Sequence, residues 1–139
     1  MKLYYKIWVD CILKAQSRPQ NRKDWKIYTM IFMSMSMALN FLLLMAILER
    51  NVFHSNFYKL DIDIFPGRKL DAFVSFFILF LLPPLLINYL LIFRRNRYES
   101  LVKKYKYHNG KLFVVYFLSS LSLPFVLLLL GYLWEQLSL

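Results

Sequence analysis

Three stretches, Ile27–Leu48, Ala72–Phe93 and Leu112–Trp134, each run for more than 20 residues without a formal charge. A bilayer core about 30 Å thick is crossed by about 20 apolar residues rising 1.5 Å each. The lengths match, and charges bound every stretch: Lys26 and Glu49, Asp71 and Arg94, Lys111 and Glu135. Three helices of a soluble bundle would need polar faces, and these runs have none. Composition points the same way, with 59% apolar residues against about 45–50% in soluble domains. The expected fold is an all-α integral membrane protein with transmembrane helices at about 27–48, 72–93 and 112–134, forming a single membrane domain over 1–139. The long charged leader and the absence of a small-residue cleavage site argue that the first span is retained rather than cleaved as a signal peptide.

Charge orients the spans. Residues 1–26 carry a formal +5, residues 49–71 carry zero, residues 94–111 carry +6, and the tail after Trp134 carries −1. With three spans the two basic segments share a side, and the positive-inside rule assigns that side to the cytoplasm. The expectation is a bacterial inner-membrane protein with a cytoplasmic N-terminus and an external, periplasmic C-terminus. Trp25 and Trp134 sit at span ends, where tryptophan anchors to the membrane–water interface.

Outside the spans, Leu3, Tyr4, Ile7, Trp8, Cys11 and Ile12 repeat at helical spacing. Residues 1–17 therefore read as an amphipathic helix in the cytoplasmic interface, with Trp8 at headgroup depth and Lys2, Lys6, Asp10 and Lys14 on the polar stripe. A basic linker, 18–26, follows. The single cysteine excludes an intramolecular disulfide and reads as a buried or interfacial small hydrophobe. In the basic cytoplasmic loop, 94–111, Tyr98, Leu101, Val102 and Tyr105 share a helical face, so the second span is expected to continue to about Tyr107. Arg94, Arg95, Arg97, Lys103, Lys104 and Lys106 are candidate contacts to anionic phospholipid or to a partner protein. Nucleic acid is the less favoured partner, because topology alone accounts for these charges. In the external loop, 49–71, Leu60–Ile64 alternates like an extended segment, and Pro66-Gly67 signals a turn. His54, Asp61 and Asp63 lack a recognised ligand spacing and read as solvated, so no metal is expected.

Within the spans, Asn40, Pro83-Pro84 and Pro124 fall at similar depth. Each proline frees the carbonyl four residues earlier, namely Leu79, Phe80 and Ser120. Such groups need a partner at membrane depth, and Ser119, Ser120, Ser122 and Asn40 are the polar groups at hand. Met30, Met33 and Met37 share a face with Asn40, while Ser34 and Ala38 form a pair spaced for close helix approach. This set is expected to form a helix-packing surface and a midplane polar layer.

No phosphate-binding loop, dinucleotide fingerprint, nucleophile elbow or zinc-protease motif occurs in the chain. No cofactor is implied, and no charged or histidine side chain lies inside a span. The leading expectation is a non-enzymatic accessory or scaffold subunit of a larger inner-membrane protein complex, acting by lateral helix packing and basic cytoplasmic segments. The alternative is a homo-oligomeric pore or channel-like effector, or a small oligomeric transporter, suggested by the midplane polar layer.

Overall fold

The computed structural model describes residues 1–55 and 57–138, and they form an all-helical fold. The helices are α1 (Lys2–Ser17), α2 (Trp25–Leu48), α3 (Arg68–Phe76), α4 (Leu82–Asn88), α5 (Arg97–Lys104) and α6 (Lys111–Ser138). Three helical runs, Trp25–Phe53, Arg68–Lys104 and Lys111–Ser138, are long and apolar enough to cross a membrane. They contain the three expected spans and extend each by several residues, because helix propagates into flanking polar residues that the hydropathy boundary leaves out.

Helix α2 is central. The α3–α4 run packs on one side of it and α6 on another, and α1 lies against both α2 and α6. The second run is not a uniform α-helix. Pro83 and Pro84 have no N–H to donate, so the preceding turn, Phe77–Leu81, widens until the Leu82 N–H donates to the Phe77 carbonyl. Widened turns of this kind occur where one residue too many must be accommodated in the helix. A second widened turn, Tyr89–Phe93, leads to Arg95 and Asn96, which are both left-handed with φ of 57° and 52°.

Two consecutive left-handed residues cannot continue a right-handed helix. The second span therefore does not run on to Tyr107 as a single rod. It breaks at Arg95-Asn96, and α5 folds against α1. Tyr98, Leu101, Val102 and Tyr105 do share an apolar face, but that face joins the core of the basic end. Tyr5 and Tyr105 stack there at 6.3 Å between ring centroids.

The placement of α1 corrects a larger expectation. The helix forms over the expected residues, yet the second half of its apolar stripe, Trp8, Cys11 and Ile12, is covered by protein, while Leu3 is exposed. Trp8, Val9, Asp10 and Ile12 have no exposed surface. Trp8, Val9, Cys11 and Ile12 form one cluster with Met33, Ile92 and Leu101. Trp8 is thus a core residue and not an interface anchor. The cause is the polar stripe, which holds a carboxylate with a specific partner inside the protein.

In the 57–67 segment no strand forms among the described residues. Instead, Asp71 accepts from the Ile64 and Phe65 N–H groups at 3.3 and 3.2 Å, and the Gly67 N–H donates to the Phe65 carbonyl, closing the turn before α3.

Candidate functional site: buried polar links among the helices

The polar groups converge on three links, and each can be traced to a physical need. At the basic end, the loop from His108 to Gly110 starts α6. Asn109 and Gly110 are left-handed there, with φ of 56° and 79°. Successive N–H groups in such a turn point inward and form an anion-binding hollow, and the first turn of any helix adds unpaired N–H groups. Asp10 fills this hollow. Its Oδ1 accepts from the His108 and Gly110 N–H groups at 2.8 and 3.0 Å, and its Oδ2 accepts from Leu112 and Phe113 at 2.9 and 3.5 Å. The carboxylate thereby meets the positive end of the α6 dipole. Gly110 is required twice over: by its φ, and because a Cβ would lie 2.9 Å from Lys14 Cγ.

The second link lies deeper. The Tyr4 hydroxyl donates to Asn88 Oδ1 at 2.7 Å, and Asn88 Nδ2 donates to Ser34 Oγ at 2.9 Å. One amide thus joins α1, α2 and α4. Burial pushes the Tyr4 phenol up to about 12.

The third link is at the midplane. Asn40 Nδ2 donates to Ser120 Oγ at 3.0 Å and lies 3.4 Å from the Tyr116 hydroxyl, while Ser120 Oγ donates to the Tyr116 carbonyl. Asn40 and Ser120 therefore tie α2 to α6. Pro83 and Pro84 are on the separate α4 side, so the polar and proline positions at this depth do not form one ring. The Leu79 carbonyl freed by Pro83 is met from an unexpected quarter. The Tyr58 hydroxyl, from the loop after α2, donates to it at 2.6 Å, and Tyr58 packs against Phe41 and Phe80. Replacing Asn40 by Leu should cost about 0.6–2 kcal/mol of stability, the usual worth of an interhelical bond in a membrane; unfolding in mixed micelles measures it. An unchanged unfolding midpoint would show that the bond is made equally well without the folded bundle.

The other expected site residues sort by exposure. Met33, Ser34 and Ala38 are buried, and Met30 and Met37 are partly buried. That face is turned into this chain, where it packs against the chain's own helices. Pro84 is buried, while Pro83 and Pro124 are partly so. Arg94, Arg95, Arg97, Lys103, Lys104 and Lys106 are all exposed. Trp25 is half-buried against Phe93 and Tyr98, with the Lys26 ammonium over the Tyr98 ring at 5.0 Å. Trp134 is exposed on α6.

Sequence reasoning missed Asp10, Asn88, Tyr4 and Tyr58. A signal existed for two of them: Asn88 is an amide inside an apolar run, and Asn109-Gly110 announces a helix start that wants a cap. No family model, curated protein or solved structure matches the chain.

Proposed function

We propose that this chain is a non-enzymatic accessory subunit of a larger inner-membrane complex, held by lateral packing of the outer half of α6. One observation carries the reading. From Leu121 onward α6 exposes apolar side chains around its whole circumference, including Leu123, Phe125, Val126, Leu128, Leu129 and Leu130. Nothing among the described residues covers these turns, although α1, α2 and the basic end of α6 are closely packed. Helix association in lipid depends on van der Waals fit over such a surface.

The alternative, a homo-oligomeric pore or an oligomeric transporter, draws less support. The Asn40, Ser120 and Asn88 side chains that would line a path are hydrogen-bonded within the chain. The basic segments favour a cytoplasmic N-terminus and an external C-terminus, and Arg94, Arg95 and Arg97 would then meet anionic lipid or an acidic partner surface.

Purification in mild detergent is expected to bring down a distinct, larger membrane protein. Phe125→Ala with Leu129→Ala should reduce that recovery severalfold without shifting the unfolding midpoint, since neither side chain has an intrachain role. A purified homo-oligomer that conducts ions in a planar bilayer would overturn the proposal. An active alkaline phosphatase fused after Leu139 is the expected topology result, and a fluorescent cytoplasmic reporter there would reverse it.

A further inference from the structure

At the basic end, α1, α2 and α6 enclose a cleft of about 210 Å³. Phe32, Phe113 and Phe117 wall it, and Lys14 and Arg18 line its α1 side. Phe117 meets Phe32 edge-on at 5.7 Å and Phe113 at 5.9 Å, so the walls brace one another. Tyr28, Phe32 and Val114 remain exposed at the rim, which opens the cleft sideways, toward where hydrocarbon lies in a bilayer.

The chemistry of the lining is one-sided. No carboxylate contributes to it. The Thr29 hydroxyl is already donated to the Trp25 and Lys26 carbonyls. Lys14 and Arg18 stand one helical turn apart, and among the described residues neither is ion-paired; Lys14 Nζ meets only the neutral Asn109 amide oxygen, at 3.4 Å. The space falls below the roughly 300–1,000 Å³ of pockets for drug-sized molecules. It suits a length of one hydrocarbon chain rather than a nucleotide or a sterol.

We propose that this cleft is a binding site for an anionic phospholipid. An acyl chain lies between Phe32 and Phe117, and the phosphate meets Lys14 and Arg18. The site is separate from the exposed cations of the 94–106 loop and does not depend on the accessory role.

Native mass spectrometry of the purified full chain, with phosphatidylglycerol or phosphatidylcholine of identical acyl chains added, tests it. Phosphatidylglycerol should be retained at least tenfold better. Lys14→Gln with Arg18→Gln should cut its retention about 25-fold, at about fivefold per cation. Val114→Trp, which fills the cleft from its rim, should lower retention of both lipids. The thermal midpoint of each variant reports folding, and Val114→Trp keeps the test decisive if the charge variant unfolds. Equal retention of the two lipids overturns the proposal. So does an equal loss from Arg94→Gln with Arg95→Gln, which would mean diffuse attraction to positive charge.

Discussion

Asp10→Ala is expected to lower the unfolding free energy by about 3–4 kcal/mol, adding a lost helix cap of up to about 2 kcal/mol to a lost charge–dipole term of similar size. Four N–H groups lose their acceptor at once, and an unmet buried donor carries a desolvation cost. Asp10→Asn keeps one oxygen acceptor and should recover about half the loss. Cys11 supplies an independent readout, because it is buried and burial pushes its thiol well above the usual thiol range. It should resist maleimide at neutral pH in the wild type and react far faster in Asp10→Ala, as α1 undocks. If the variant keeps both its unfolding midpoint and its protected cysteine, Asp10 does not hold α1 in place.

Trp8→Ala should be comparably severe, at about 3–5 kcal/mol for emptying a core aromatic site. Trp8 has no exposed surface and packs edge-on against Phe93 at 5.6 Å. Its indole N–H has no hydrogen-bond partner among the described residues, so its worth lies in packing. Trp8→Phe fills much of the space and should cost less than half as much. A helix lying on the headgroups would behave differently: its tryptophan could be truncated with little effect on unfolding of the spans. A loss under about 1 kcal/mol, well below the core range, would restore that interfacial arrangement.

These variants also mark where sequence reasoning reached its limit. The length and charge-free character of an apolar run are local properties, so the three spans can be read directly from the chain. The spacing of Leu3, Tyr4, Ile7, Trp8, Cys11 and Ile12 likewise specifies a helix with one apolar face. Periodicity says nothing of what that face meets, and here it meets Met33 and Ile92 rather than lipid. The Met30–Met33–Met37 face shows the same gap, since the spacing identifies a packing surface while the fold turns it inward. Asp10 looks like any polar-stripe residue because its partners lie 98–103 positions away. The break at Arg95 has weaker grounds still. Asn96 tolerates a left-handed backbone, but nothing in an arginine marks it for one.

The Asp10 link also imposes an order in time. The carboxylate is made well before α6, and its last partner, the Phe113 N–H, is made 103 residues later. At about 5–20 residues per second, roughly 5–20 s separate the two. During that interval α1 has neither its cap to fill nor α6 to lean on. The Asp10 link therefore reports that the third span has entered. A chain stalled or cut before residue 108 would lack all four N–H donors to Asp10, while still carrying Met33, Ile92 and Phe93, against which Trp8 packs.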